Sequence, residues 1–206
     1  MNDSRDLKLL ELDALREVAN IGAGHAATAL SQMTNRTIMI SVPEVRMALL
    51  EEVPELLGRP DTEVAAVLMH MMGDLTGRTM VLMPLDSART LCDILLRRSP
   101  ATTTTFGPME ESGLKEAGNI LSSAYLNALS DFMGMMLVPS IPSLVIDQCG
   151  AILTTTYLNF GHDRDLAFCV ETAFRVEKSV EELRGHFLLL PDVASLRVIF
   201  DAIRVA

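Results

Sequence analysis

From Leu7 to about Thr34, apolar residues recur every three or four positions through an alanine-rich stretch. That spacing predicts a long helix burying one stripe. Thr37–Val42 then turns β-branched and stops at Pro43, which predicts a strand ended by a residue that has no amide to donate. Glu51–Leu57 reads as a short helix. Val64–Met72 and Thr79–Met83 are apolar runs flanking Gly73-Asp74-Leu75-Thr76-Gly77, the pattern of strand, tight turn and strand. Pro84-Leu85-Asp86-Ser87 opens a helix running to about Arg98, with Asp86 as its N-cap or first-turn acid.

The same order of patterns then comes again. Pro108–Phe132 predicts a second long helix, Met135–Val138 a strand, Phe168–Val176 and Phe187–Leu190 two more strands, and Asp192–Arg204 a closing helix. Between Asp147 and Phe160 two signals compete. Thr154-Thr155-Thr156 favours a strand, whereas the position opposite Glu51–Leu57 favours a helix, and a helix is the expectation. Shifted by 99 residues, Leu12–Pro43 and Glu111–Pro142 agree at nine of 32 positions without a gap, among them Glu17 with Glu116, Asn20 with Asn119, Ser31 with Ser130, Ser41 with Ser140 and Pro43 with Pro142. The ends correspond at a shift of 108, pairing Gly77 with Gly185 and Ser87 with Ser195. A repeat of this length is too long for a solenoid unit. The expectation is one domain built from two repeats, 7–98 and 108–204, joined by the polar linker 99–107 and related by a pseudo-two-fold axis. The predicted class is α+β: two long helices and further helices packed on a mostly antiparallel sheet of about six strands.

Composition narrows function mainly by exclusion. Apolar residues make up 49% of the 206, but aromatics are 4%, Trp is absent and Met numbers 13. The core is therefore aliphatic, with little to stack nucleobases. With 27 acidic against 17 basic residues the net charge is −10, and the densest cationic stretch is Arg97-Arg98. No nucleic-acid or acidic-lipid partner is expected, and no Walker sequence is present. The polar N-terminus lacks a signal-peptide layout. The most apolar long stretch, Phe132 to Ile146, is short and carries Pro139 and Pro142, so no membrane insertion and a cytoplasmic location are expected. Cys92, Cys149 and Cys169 lack C-x-x-C spacing and read as buried thiols. His25, His70, His162 and His186 show no ligand spacing, and no metal site is expected.

The candidate chemistry lies on the two long helices. At about 100° per residue, Asp13, Glu17, Asn20 and Gly24 share one face, opposite Leu15, Val18, Ala19 and Gly22. The second helix repeats this, with Ser112, Glu116, Asn119 and Ser123 opposite Leu114, Ala117, Gly118 and Leu121. A single such face is most often only solvated. Asn, however, is a poor helix residue, and both halves keep it beside the same Glu. Small residues follow it in each copy (Gly22-Ala23-Gly24 and Ser122-Ser123-Ala124), which predicts an amide standing on a low, accessible surface.

The pattern Asp/Ser-x3-Glu-x2-Asn-x22-Pro resembles the signature of the CheC/CheX/FliY chemotaxis phosphatases. It occurs twice, as Asp13, Glu17, Asn20, Pro43 and as Ser112, Glu116, Asn119, Pro142. Two intact motifs, with the chain ending directly after the closing helix, resemble the CheC type most. The resemblance implies a protein phosphatase that hydrolyses the phosphoryl-aspartate of a CheY-type response regulator. It implies that Asn20 and Asn119 orient the attacking water, and that Glu17 and Glu116 pair with the regulator's Lys. Asp13 and Ser112 would add a polar contact or cap, and Pro43 and Pro142 a structural restraint. No cofactor of its own is implied, since the phosphorylated partner carries Mg²⁺.

Two other readings stand beside it. Glu17 and Glu116 as a glycosidase-like acid and base would need facing helices and an aromatic-lined cleft, which 4% aromatics does not favour. The chain could instead be an adaptor or a sink for the phosphorylated regulator. The resemblance also implies binding to CheD, a receptor-modifying deamidase. Leu144-Val145-Ile146-Asp147, followed by Ile152, Leu153 and Tyr157-Leu158, is a candidate surface for that contact, and ordinary core or sheet edge is an equally weighted alternative.

Overall fold

The computed structural model describes residues 9–49, 52–56, 59–160, 166–177 and 182–205. The expected starts at residues 7 and 51, and the expected end at residue 57, lie outside them. The elements are α1 (Leu9–Thr34), β1 (Ile38–Ile40), β2 (Glu44–Leu49), α2 (Val53–Leu56), β3 (Glu63–Gly73), β4 (Gly77–Pro84) and α3 (Leu85–Leu95), followed by α4 (Pro108–Met133), β5 (Leu137–Pro139), β6 (Ser143–Gln148), α5 (Cys149–Phe160), β7 (Leu166–Val176), β8 (Glu182–Pro191) and α6 (Val193–Val205). The order α-β-β-α-β-β-α thus occurs twice. Residues 147–160 resolve as the end of a strand followed by the expected helix α5, and Asp86 lies in the first turn of α3 while Pro84 holds the N-cap position.

All pairings in the sheet are antiparallel. The strand order is β1-β7-β8-β4-β3-β5, with β2 also on β7 and β6 also on β3. The six lanes agree with the expectation, but each outer lane is broken in two, which makes eight strands. The outer strands of each half pair with the other half. β1 and β2 lie on β7, and β5 and β6 lie on β3.

Each break is a one-residue β-bulge. Ile40 faces Phe174 and Glu44 faces Glu171, so Ser41-Val42-Pro43 spans two residues of β7. Pro139 faces Met71 and Ser143 faces Leu68, so Ser140-Ile141-Pro142 does the same on β3. Proline is tolerated at an edge bulge, where its missing N–H leaves no ladder bond unmade. The serine two residues earlier closes the ladder. Ser41 N donates to Ala173 O at 2.9 Å, and Ala173 N donates to Ser41 Oγ at 3.2 Å. Ser140 makes the same exchange with His70, at 2.9 Å in each direction.

The turns that lead into these lanes also match. Asn35 (φ 53°) and Gly134 (φ 64°) occupy the left-handed position after α1 and α4, the backbone state that ends a helix most readily at Gly or Asn. Arg36 N donates to Ser31 O and Met135 N to Ser130 O. Across the closing helices, Thr76 N donates to Ser195 Oγ at 2.8 Å and Arg184 N to Ser87 Oγ at 3.2 Å.

Helices pack against both faces of the sheet. α1, α3, α4 and α6 cover one, in a core that includes Leu15, Leu30, Val67, Leu114, Phe168, Phe187 and Ile199. α2 and α5 cover part of the other, through Val53, Cys149, Ile152 and Leu153 against Ala66, Leu82, Cys169 and Leu188. Ile152 and Leu153 are therefore core residues, which removes them from the candidate partner surface. Asp147 stays exposed on β6.

The linker is tied down by carboxylates. Asp93, buried on α3, accepts from Thr102 N, Thr103 N and Thr103 Oγ1. Glu110, in the first turn of α4, accepts from Gly107 N at 2.9 Å and from Arg98. Glu110 is held below the ordinary carboxylate range, first by its own backbone N–H and then by Arg98. A folded-state pKa below the unfolded value contributes stability that is present above the unfolded pKa and lost as pH falls through the folded one. Urea midpoints measured on acidification below about pH 4.3 should therefore fall, and Glu110→Gln should flatten that part of the profile.

Candidate functional site

α1 and α4 pack against each other on one face of the sheet, and both turn the motif residues outward. Leu15, Val18, Ala19 and Gly22 are buried on α1, while Glu17, Asn20 and Gly24 are exposed. On α4, Leu114, Ala117, Gly118 and Leu121 are buried, Ser112 and Glu116 are exposed, and Asn119 and Ser123 are half-buried. The apolar stripe of each helix fixes this. With Leu15 and Leu114 sunk in the core, residues two and five positions later face away from it. The side chain of Asp13 lies outside the described residues.

Glu and Asn are three residues apart in each motif, so each carboxylate and amide sit about 4.5 Å apart along the axis, on one face. Among the described residues, no hydrogen bond or ion pair engages Glu17, Asn20, Glu116 or Asn119. An Asn amide carries an acceptor and two donors, so at each site these stand ready for an incoming group.

The small residues beyond Asn act differently from the expectation. A Cβ on Gly22 would meet Tyr125 Cδ1 at 2.5 Å, so Gly22 brings α1 close to α4. Gly118, beside Asn119, lies over β3, where a Cβ would meet Val67 Cγ1 at 2.5 Å. Ala23, Ser122 and Ala124 are buried. Only Gly24 leaves open space around the amide, with nothing within 4 Å of a Cβ built on it. Tyr125 is itself fixed, stacked on Phe187 with ring centroids 4.6 Å apart and bonded to Thr172 Oγ1 at 2.8 Å. The amides thus stand on helices seated by close backbone contact, a rigid mount for a positioning group.

Pro43 is buried and Pro142 half-buried, each in its bulge. Sequence reasoning missed the bulges. Their signal was present in the paired Ser41/Ser140 and Pro43/Pro142 identities, which mark one duplicated Ser-x-Pro unit.

No group of His, Cys, Asp and Glu suited to a metal ion occurs among the described residues. Cys92, Cys149 and Cys169 are all free and buried. Burial pushes the Cys92 and Cys169 thiols up to about 12 and Cys149 up to about 11. A thiol in that range supplies almost no thiolate at neutral pH. The folded protein should react with an aromatic disulfide reagent far more slowly than the urea-unfolded chain, which should release three equivalents. No helix among the described residues is long and apolar enough to cross a membrane.

Comparison with known proteins agrees with the motif. The model of the CheC-like family matches residues 10–47. The CheY-P phosphatase CheC of Bacillus subtilis (strain 168) is 34% identical over 199 residues, covering 96% of this chain and 95% of that protein. The putative CheY-P phosphatase CheC1 of Halobacterium salinarum is 22% identical over 139 residues, covering 68% of this chain and 70% of that one. The crystal structure of Thermotoga maritima FliY has the same fold, with a TM-score of 0.80 at 20% identity, covering 97% of this chain and 98% of that one.

Proposed function

The chain belongs to the CheC-like family, and from that premise we propose that it hydrolyses the phosphoryl-aspartate of a CheY-type receiver domain. The observation that carries this is the duplicated site: an exposed carboxylate with an outward-facing amide one turn on, Asn20 exposed and Asn119 half-buried, each pair on a rigidly seated helix. Transfer of a phosphoryl group to water needs positioning and charge neutralisation, with little covalent work by the catalyst. In the proposed reaction the water oxygen bonds to phosphorus as the aspartyl oxygen leaves, giving inorganic phosphate and a free carboxylate. The Asn20 or Asn119 Oδ1 accepts a hydrogen bond from that water and holds it in line. Glu17 or Glu116 pairs with a Lys of the receiver and fixes the docking register. Asp13 and Ser112, a further turn back, add a polar contact at the rim. The receiver's own Mg²⁺ neutralises the charge that develops on the phosphoryl oxygens.

A second reading, a non-catalytic adaptor or sink, is favoured by one observation. β6 leaves an exposed sheet edge carrying Val145, Ile146 and Asp147, and an exposed edge strand can pair with another chain; CheD is the partner proposed for it. The test is the rate of phosphate loss from a phosphorylated CheY-type receiver, with Mg²⁺, in the presence and absence of this protein. Acceleration is expected. Tight binding without acceleration would select the adaptor reading.

A further inference from the structure

We infer that Val42 and Ile141 are paired docking knobs, each gripping an apolar patch of the receiver whose phosphoryl group lies at the neighbouring Asn; this rests on the reading of the site above. The two residues are 81% and 91% exposed, and every other exposed large apolar residue among those described is between 37% and 64%. Leaving a β-branched side chain in water forgoes the usual gain from burial, and doing so at equivalent points of both halves is not a scattered surface accident. Each is the middle residue of a Ser-x-Pro bulge, and bulges re-aim a side chain away from the sheet. Each is rigidly mounted. The serine before it bonds both ways to the neighbouring strand, and the proline after it has a fixed φ.

Their position relative to the amides follows from the chain path. Ile38 N donates to Ser31 Oγ at 2.9 Å, so β1 starts beside Ser31 and runs back along α1. Four extended residues from Ile38 to Val42 cover about 13 Å. Eleven helical residues from Ser31 back to Asn20 cover about 16 Å. Val42 therefore returns to nearly the level of Asn20, and the matching offsets place Ile141 likewise beside Asn119. In both halves the knob stands 22 positions after the amide. One knob per amide means that a receiver seated at either site meets its own. Ile21, next to Asn20 and 42% exposed, extends the apolar border on the helix side of the first site. The occupant is thus an apolar patch adjoining a phosphorylated carboxylate, with Glu17 or Glu116 supplying the polar contact.

The test uses the full chain with one site silenced. In the Asn119→Ala protein, Val42→Ser should raise KM for the phosphorylated receiver about tenfold, as expected for losing one buried aliphatic side chain, with kcat unchanged. Met39→Ser, on the same edge lane, should leave KM where it was. In the Asn20→Ala protein, Ile141→Ser should do what Val42→Ser does in the other. Binding to a beryllofluoride-activated receiver, measured by calorimetry, should show the same tenfold loss. If the unsubstituted protein binds that receiver without hastening phosphate loss, the catalytic reading falls, and the affinity loss still decides the role of the knobs. Unchanged KM and affinity in both variants would overturn the inference. So would a fall in kcat alone, or a shift in the protein's own association state with receiver affinity intact, since the knobs would then pack a second copy of the chain.

Discussion

Replacing Asn20 and Asn119 together by alanine is expected to lower the acceleration of receiver dephosphorylation at least about a hundredfold, the scale set by removing a group that orients or stabilises the reacting atoms. Either single substitution should leave about half the activity, because the amides sit on separate helices and share no hydrogen-bond partner among the described residues. Stability should move the other way. Both positions lie in the middle of 26-residue helices, where Ala is favoured over Asn by about 0.5 kcal/mol. The double variant should therefore melt at the same temperature or slightly higher. A residue whose removal destroys activity while helping the fold is held there by function at the expense of stability. Full activity in the double variant would remove both amides from the reaction. A double variant that lost activity and stability together would show instead that the amides help hold the helices.

The helices and the duplication were legible because both rest on long-period signals. Twenty-six-residue amphipathic stretches carry many turns of evidence, and a gapless repeat needs no knowledge of packing. The outer lanes were not legible, because proline was read as a terminator. Pro43 and Pro142 do end a hydrogen-bonded segment, but the chain continues in the same lane as β2 and β6 after one extra residue. β2 also alternates Glu44 and Arg46 with apolar residues, and five of the six residues of β6 are exposed. Each holds only three consecutive apolar residues, Met47–Leu49 and Leu144–Ile146, short of the long apolar run that marks β3. The candidate site divides along the same line. The outward faces of Glu17, Asn20, Glu116 and Asn119 follow from helical period alone. The use of Gly22 and Gly118 as contact points depends on Tyr125 and Val67 arriving from elsewhere in the chain, which no local pattern states. Ile152 and Leu153 were misplaced for a similar reason. An apolar helix reads alike whether it meets a partner or its own sheet, and here α5 covers the second face of the sheet.

A large loss of stability is expected from adding a side chain at Gly77, and its partner in the repeat should tolerate the same change. Gly77 has φ +155°, and a Cβ there would lie 2.4 Å from Leu190 O and 2.7 Å from Pro191 Cα. Those are backbone atoms in the ladder of β4 with β8, where Gly77 faces Pro191, so neither can swing aside as a side chain would. Strain at a backbone angle that L residues avoid costs about 1–3 kcal/mol, and overpacking costs about as much again. Gly77→Ala should thus lower the unfolding free energy by about 3 kcal/mol or more, read from urea midpoints at constant slope. Gly185 occupies the corresponding place in the second repeat, yet it faces Thr172 inside a continuous ladder, and a Cβ on it would meet nothing nearer than Met83 Cγ at 3.5 Å. Gly185→Ala should stay within about 1 kcal/mol of the unsubstituted protein. The contrast arises because Gly77 leads out of a tight turn, where the backbone must enter the positive-φ region, whereas β8 starts at Glu182 and reaches Gly185 already extended. If the two substitutions proved equally damaging, the requirement for glycine would belong to the repeat itself. If only Gly77→Ala is damaging, the turn alone imposes it, and the matching glycine in the second half is a remnant of duplication that the lengthened strand no longer needs.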